Sequence, residues 1–288
     1  MELSTHDLVL DADSAIDMQL HTTNSDGDWT PEQLVDNLVG EHFGMVAITD
    51  HDRVDRTAAI QALAIEKGLP ILVATEFSAN WRGQAVDTLC FGFDPDNAAL
   101  KAIAATIRQL QDANTRQAYD YLLKKGYRFE GQPDPLQTIL DMPTSRQPHA
   151  LIALLSSVSE DKAEASVWKV LAEGGAKFMT NPIADVVDAV HQGGGVCLIA
   201  HPGRGQFWPI FDPPMLDEIR SDVPLDGFEA YYPLHSEAQK AMFVEYARQH
   251  DLLTSAGSDS HGKNRNPIKY PAHNSRKLLE RLGVQVRA

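Results

Sequence analysis

Strand-length apolar runs alternate with helical segments in the first third of the chain. Residues 45–49 and 69–75 are continuous apolar runs, and a helix is predicted between them over 54–67, ended by Gly68. An earlier helix is predicted to begin at residues 30–33, where Thr-Pro-Glu-Gln combines a capping box with an early proline. This alternation of strand and helix predicts the α/β class, with a parallel sheet or barrel.

The pattern changes after residue 94. From there to about residue 188 the sequence is almost entirely helical, and strand-like apolar runs are absent. The predicted helices cover 98–111, 113–125, 135–141, 148–156 and 161–173. We therefore expect a helical insertion domain over 95–189, set between two segments, 14–94 and 190–288, that form the α/β domain together.

Strand and helix alternation resumes after this insertion. Further strands are predicted over 85–93, 196–200, 227–232 and 252–257, with helices over 236–249 and 275–282 and a hairpin at 81–83. The chain has 288 residues, of which 43% are hydrophobic, and this is enough for a large buried core.

Charge and cysteine content narrow the possible partners and location. The formal charge is −15, from 25 Lys and Arg against 40 Asp and Glu. Such a surface disfavours duplex DNA and anionic membranes, which are bound mainly through Lys and Arg. Cys90 and Cys197 lie in apolar runs and are expected to be buried thiols. We find neither a signal peptide nor an apolar run of spanning length, and a cytoplasmic location is expected.

Metal-ligand residue types gather where the predicted strands end. Five strand ends carry them, at Gln19 and His21, at His51, at Glu76, at His201, and at Asp259 and His261. Asp26 follows in a short turn from which its carboxylate can reach back toward His21. Because active sites of parallel α/β folds form at the carboxyl ends of strands, these residues are expected to converge.

The motifs at these strand ends resemble those of the polymerase and histidinol phosphatase (PHP) family. They lie at 17–22 (Asp-Met-Gln-Leu-His-Thr), 25–27 (Ser-Asp-Gly), 49–52 (Thr-Asp-His-Asp), 76–78 (Glu-Phe-Ser), 200–204 (Ala-His-Pro-Gly-Arg) and 257–262 (Gly-Ser-Asp-Ser-His-Gly). Their order and the helical insertion most resemble the small bacterial branch that acts on nucleotides and short RNA. The resemblance implies a distorted seven-stranded, TIM-like β/α barrel carrying two or three divalent metal ions.

The resemblance also implies which residues bind these ions. One ion is expected at His21, Glu76 and Asp259 with Gln19 beside them, a second at Glu76, His201 and Asp87, and a third at Asp26, His51 and His261. Apart from Gln19 and Asp87, these ligands are also the expected catalytic residues.

Two of these positions depart from the family pattern. Gln19 stands where the family usually has histidine, and a histidine is also usual near Asp87. Oxygen ligands in place of nitrogen shift the preference from zinc toward manganese, iron or magnesium.

The expected chemistry is hydrolysis of a phosphate ester by metal-activated hydroxide. Asp50 and Asp52 flank His51 and are expected to orient it. Arg204 is the first candidate for binding the substrate phosphate, because its planar guanidinium matches phosphate geometry. The other substrate-binding candidates are Arg146, His149, His235 and Lys263, with Phe207 and Trp208 as rings that could stack on a base.

The resemblance suggests a nucleoside 3′,5′-bisphosphate or the 5′ end of a short single-stranded RNA as substrate, with an AMP-like mononucleotide and phosphate among the products. Two alternatives share the same motifs. One is a noncatalytic metal-binding PHP module that acts through a partner protein. The other is a phosphatase of a non-nucleotide metabolite such as histidinol phosphate.

Overall fold

The computed structural model describes residues 4–131, 133–206, 208–262 and 264–287. The strands are β1 (Val9–Leu10), β2 (Ala15–Leu20), β3 (Met45–Ile48), β4 (Ile71–Leu72), β5 (Ala74–Phe77), β6 (Ala79–Trp81), β7 (Gln84–Ala85), β8 (Thr88–Phe91), β9 (Asn181–Pro182), β10 (Val196–Ile199), β11 (Gly227–Tyr231), β12 (Leu253–Ala256), β13 (Tyr270–Pro271) and β14 (Gln285–Val286). The helices are α1 (Pro31–Gly40), α2 (Thr57–Lys67), α3 (Ala98–Lys124), α4 (Pro135–Leu140), α5 (Gln147–Val158), α6 (Glu164–Glu173), α7 (Ile183–Gln192), α8 (Pro213–Asp222), α9 (Glu237–Gln249) and α10 (Arg276–Arg281).

The chain divides into a larger unit, residues 1–103 with 180–288, and a smaller unit, residues 104–179. The larger unit has the mixed α/β architecture that the alternation of strands and helices predicted. Its main sheets are a five-stranded sheet in the order β12-β11-β10-β8-β5 and a four-stranded sheet in the order β13-β2-β3-β4. Strands β10, β11 and β12 run parallel, as do β2, β3 and β4, whereas β8 is antiparallel to both of its neighbours.

The closed seven-stranded barrel is not confirmed, because the strands form separate sheets. Isolated parallel bridges link the two main sheets, between Leu20 and Ser260 and between His51 and Glu76. The strand predicted over 69–75 is also divided. Its first part, β4, pairs with β3, and its second part, β5, pairs with β8, so the chain passes from one sheet to the other at Val73.

Local sequence signals explain several of the element boundaries. At the start of α1, the Thr30 side chain accepts a hydrogen bond from the Gln33 backbone while Gln33 bonds back to Thr30, as predicted. Gly68 ends α2 with a φ of +68°, a conformation that glycine adopts without steric cost. Helix α8 was missed by the sequence analysis, although Asp212 caps it through the Met215 backbone N–H.

The core of the larger unit lies on and between the sheets. One apolar cluster includes Ile16, Met18, Leu89 and Leu198, each of which is fully buried. Cys90 and Cys197 are buried free thiols, as expected. Within the described part of the chain, no helix is both long enough and apolar enough to cross a membrane.

The smaller unit is helical and has its own apolar cluster, in which Leu122, Leu151, Leu155 and Leu171 are buried. The predicted break near residue 112 is wrong, since α3 continues from Ala98 to Lys124. No glycine or proline occurs between these residues, and the polar side chains near residue 112 do not interrupt the helix.

Gly227 provides a test of the sheet packing. An added Cβ at this position in β11 would lie 2.0 Å from the Leu253 carbonyl oxygen on the paired strand β12. We expect Gly227→Ala to lower the free energy of unfolding by about 3 kcal/mol, measured by urea denaturation. The control is Gly40→Ala at the end of α1, where a Cβ would meet no described atom within 4 Å. Equal stability of the two variants would contradict the close approach.

Candidate metal centre

The strand ends of the larger unit bring the predicted ligands together. Gln19 lies in β2, and His21 directly follows that strand. Glu76 lies in β5, and the segments after β3, β10 and β12 carry His51, His201, Asp259 and His261. Asp87 precedes β8, which runs antiparallel to β5 and β10, so that the start of β8 lies at the same edge as the ends of its neighbours.

Three groups of side chains have ligand atoms within 4.8 Å of one another. They are His21, Asp26, His51 and His261; His21, Glu76 and Asp259; and Glu76, Asp87 and His201. The expected ligand sets thus lie close together, with His21 added to the group of Asp26, His51 and His261. His21 and Glu76 each belong to two of them, and the groups are therefore contiguous.

Glu76 lies at the centre of this arrangement. Its Oε2 atom is 3.1 Å from His21 Nε2, and its Oε1 atom is 3.5 Å from His201 Nε2. The two carboxylate oxygens thus face different groups, the arrangement needed for a carboxylate that bridges two ions. Gln19 donates a hydrogen bond from its amide nitrogen to Oε2 of the same carboxylate, over 3.0 Å.

The unsatisfied polar atoms of the cluster fit bound cations. Among the described residues, Gln19 Oε1, His21 Nδ1, Asp26 Oδ1 and His51 Nδ1 are buried without a hydrogen-bond partner. A buried polar atom left unpaired costs roughly 1–3 kcal/mol. Divalent ions bound by these nitrogen and oxygen atoms would remove that cost, and the donor set matches the ligands that Zn, Mn and Fe take in proteins.

The charges of the cluster also favour cations. Burial alone would lower the pKa of His51, but the carboxylates of Glu76 and Asp26 raise it to about 9. Burial opposes ionisation of Glu76, yet the neighbouring His51, His201 and His21 hold the pKa of that carboxyl well below its usual value. The Glu76 carboxylate is therefore ionised and attracts positive charge, whereas burial and the charge of Glu76 raise the pKa of Asp87.

Neighbouring aspartates fix the loops that carry the ligands. Asp50 accepts hydrogen bonds of 2.7 Å from the Thr22 backbone N–H, the Thr22 hydroxyl and the Ser25 hydroxyl, which holds the turn that presents Asp26. Asp52 accepts from the backbone N–H and hydroxyl of Ser78. The expected orientation of His51 by these two aspartates has no counterpart in the described hydrogen bonds, which bind both carboxylates to other residues.

The strand-end residue His201 has support that the sequence analysis missed. Its φ is +32°, which is unusual for a residue with a side chain, and its backbone N–H donates to Glu229 Oε2 over 3.1 Å. Glu229 is fully buried in β11, and burial together with the Asp259 and Glu76 carboxylates raises its pKa well above the usual value. The sequence signal that could have identified Glu229 is a single glutamate within an otherwise apolar strand.

Arg204 lies beside the cluster. Its Nη1 atom is 3.4 Å from Asp259 Oδ2, and its guanidinium carbon lies 4.1 Å from the centre of the Trp208 ring. Trp208 also donates from its indole nitrogen to Asp87 Oδ2 over 2.7 Å. The sequence analysis missed Arg265, whose Nη1 atom is 2.9 Å from Asp259 Oδ2.

Of the remaining candidates, His235 has other partners and two belong to the smaller unit. His235 is buried, and its Nε2 atom accepts from the Gly203 N–H while its Nδ1 atom donates to the Ala230 carbonyl oxygen. Both nitrogens are thus used in holding the turn after His201, which argues against the predicted substrate contact. Arg146 and His149 belong to the smaller unit, at a 3₁₀ turn and in the first turn of α5. Phe207 and Lys263 lie outside the described residues.

Comparison with known proteins identifies phosphoesterases as relatives. The chain is 25% identical over 249 residues to a 5′-3′ exoribonuclease of Haemophilus influenzae, covering 85% of this chain and 89% of the relative. It is 28% identical over 250 residues to a 3′,5′-nucleoside bisphosphate phosphatase of Chromobacterium violaceum, covering 85% and 87%. No family model matches the chain.

A solved structure from Bifidobacterium adolescentis, to which metal-dependent phosphoesterase activity is attributed, superimposes with a TM-score of 0.74 at 26% identity. The match covers 93% of this chain and 96% of that protein. These similarities confirm the resemblance to bacterial metal-dependent phosphoesterases. They also confirm the predicted enzyme class, a metal-dependent hydrolase of phosphoric esters.

Metal binding can be tested by thermal unfolding. We expect saturating Mn²⁺ to raise the Tm of the wild-type protein by about 5 °C, since a ligand at 100 times its Kd stabilises by about 2.7 kcal/mol. Glu76→Gln should lose more than half of this shift, because Glu76 belongs to two of the three groups. The control, Glu237→Gln in the first turn of α9, should keep it. An unchanged shift in Glu76→Gln would contradict the central position of this carboxylate.

Proposed function

We propose that the protein hydrolyses a phosphate ester of a nucleotide, either a nucleoside 3′,5′-bisphosphate or the 5′ end of a short single-stranded RNA. The observation that carries this proposal is the set of three contiguous ligand groups joined by His21 and Glu76. Relatives named as an exoribonuclease and a bisphosphate phosphatase support the nucleotide class.

The proposed ligands of the ions follow the three groups. His21, Glu76 and Asp259 with Gln19 would hold one ion, Glu76, Asp87 and His201 a second, and Asp26, His51 and His261 a third. Two or three divalent ions are proposed. The oxygen donors of Gln19 and Asp87 favour manganese, iron or magnesium over zinc at their sites.

Such ions, when bound, would neutralise phosphate oxygens and lower the pKa of water, so that hydroxide is available as the nucleophile at neutral pH. The chain's own residues prepare the site for this chemistry. Glu76 is held in place by Gln19, and Asp87 by the Trp208 indole N–H. Arg204 lies next to Asp259 and is the proposed ligand of a substrate phosphate oxygen.

Substrate access is proposed to favour small or single-stranded nucleotides. The net charge of −15 disfavours a long duplex, for which the chain would need many phosphate contacts.

We also propose that β2, β3, β5, β8, β10, β11 and β12 form a distorted seven-stranded barrel. The support for it is the pair of bridges that link the two main sheets. Arg146 and His149 of the smaller unit remain predicted substrate ligands.

Activity is tested by phosphate release from a panel of nucleotides, short RNAs and histidinol phosphate, with and without Mn²⁺. We expect release from nucleotides that depends on the metal, and a loss of about 10³-fold in His51→Ala, because one ligand of a cation site is removed. His250→Ala, at the exposed end of α9, is the matched control. A folded, metal-loaded protein that is inert to every ester would favour the noncatalytic module. Preferential release from histidinol phosphate would favour the metabolite phosphatase.

The departures from the family pattern are tested by restoring a nitrogen ligand. Gln19→His should shift metal content toward zinc when the protein is equilibrated with equal Zn²⁺ and Mn²⁺ and analysed for bound elements, because imidazole suits zinc better than an amide oxygen does. Gln33→His, in the exposed first turn of α1, is the control for an added histidine. An unchanged ratio in Gln19→His would show that residue 19 does not contact metal.

A further inference from the structure

Arg265 lies in a segment that the fold holds at both ends. Asp17, fully buried in β2, accepts hydrogen bonds of 2.9 Å from the backbone N–H groups of Ser258 and Ile268. Within the segment, the Ser260 hydroxyl donates to the Arg265 carbonyl oxygen, and the Arg265 N–H donates to the Gly262 carbonyl oxygen. These bonds fix the backbone at Ser258, Arg265 and Ile268.

Two guanidinium groups meet at one oxygen of Asp259. Arg265 Nη1 and Arg204 Nη1 are 2.9 and 3.4 Å from Asp259 Oδ2. The other oxygen, Oδ1, faces the cluster, at 3.3 Å from His21 Nε2 and 3.4 Å from His261 Nδ1. The Asp259 carboxylate therefore contacts two histidines of the cluster through one oxygen and a pair of arginines through the other.

Aromatic rings hold each guanidinium in place. Arg204 lies over the Trp208 ring, and Arg265 lies 5.3 Å from the centre of the Tyr232 ring. Arg265 also donates from Nη2 to the Tyr232 hydroxyl over 2.7 Å. Guanidinium groups held this way lose little conformational freedom on binding an anion, and their planar forks match phosphate oxygens.

The charge at this position exceeds what Asp259 can neutralise. Two positive groups share one carboxylate that also serves the ligand cluster, and the arginine side chains are 21% and 29% exposed. Solvent-accessible positive charge beside the cluster contrasts with the formal charge of −15 on the whole chain. Such a pair is suited to an anion that approaches from the solvent.

We propose that Arg265 and Arg204 form a second phosphate subsite, which binds the phosphate group that the enzyme does not hydrolyse. This inference rests on the proposed function, since it names the part of a nucleotide that determines specificity. Both arginines contact the Asp259 oxygen that does not face His21 and His261, whereas the ligand groups would hold the cations that bind the cleaved phosphate. A nucleotide with two phosphates would use both positions.

The test compares adenosine 3′,5′-bisphosphate with adenosine 3′-monophosphate and adenosine 5′-monophosphate. Whichever ester is cleaved, one monophosphate carries the same ester without the second phosphate. In Arg265→Gln we expect kcat/KM for the bisphosphate to fall by about 10- to 100-fold, mainly through KM, since a hydrogen bond between charged groups is lost. The value for the matched monophosphate should fall by a clearly smaller factor, because the monophosphate shares any loss of support for Asp259 but lacks the second phosphate. Arg265→Lys should recover part of the loss.

Controls separate substrate binding from support of Asp259. Arg248→Gln, in an exposed ion pair on α9, should leave both substrates unaffected. Bound metal is measured in each variant by elemental analysis, and Arg265→Gln should keep the wild-type content. Equal losses for bisphosphate and monophosphate, with or without loss of metal, would show that Arg265 only holds Asp259 and would overturn the proposal.

A binding measurement separates this inference from the proposed activity. Calorimetry with adenosine 3′,5′-bisphosphate on the chelator-treated protein needs no turnover. Weaker binding by Arg265→Gln than by the wild type supports the subsite even if no nucleotide is hydrolysed. An absence of hydrolysis would overturn the proposed function but not the subsite. Equal binding by the two proteins would overturn the subsite.

Discussion

The buried carboxylate of Glu76 is the constraint on which the rest of the site depends. A charged carboxylate in a buried position is costly unless positive groups surround it. Its two oxygens lie near His21 and His201, and its backbone forms the bridge with His51 that links two sheets. Strand pairing and ligand geometry are thus fixed by the same residue, and a disturbance of one would affect the other.

Much of the site could be predicted from the sequence because parallel strands end at a common edge. His21, His51, His201 and His261 follow short segments whose patterns predict strands, so their convergence follows from local pattern. Asp87 was different, since it precedes an antiparallel strand whose direction the local sequence does not encode. Only the family resemblance pointed to it.

The residues that sequence reasoning missed act through the path of loops. Arg265 reaches Asp259 because Asp17, which is distant in sequence, binds the backbone N–H groups of Ser258 and Ile268 on either side of these two residues. Glu229 supports the His201 backbone from a neighbouring strand. Such contacts depend on long-range closure of the chain, which neither periodicity nor motif spacing reports. The division of the predicted strand at Val73 has the same origin.

Two of the strand-end residues, His201 and Asp259, have φ values of +32° and +53°, a conformation that costs about 1 kcal/mol or more for residues with side chains. Fixed partners offset this cost, since the His201 N–H binds Glu229, and the Asp259 carboxylate binds Arg204 and Arg265. With this backbone conformation, the His201 side chain contacts Glu76 and the Asp259 side chain contacts His21. Because these partners belong to the protein itself, the fold holds the ligands in position before any ion binds, and the binding free energy of the ions need not be spent on ordering them.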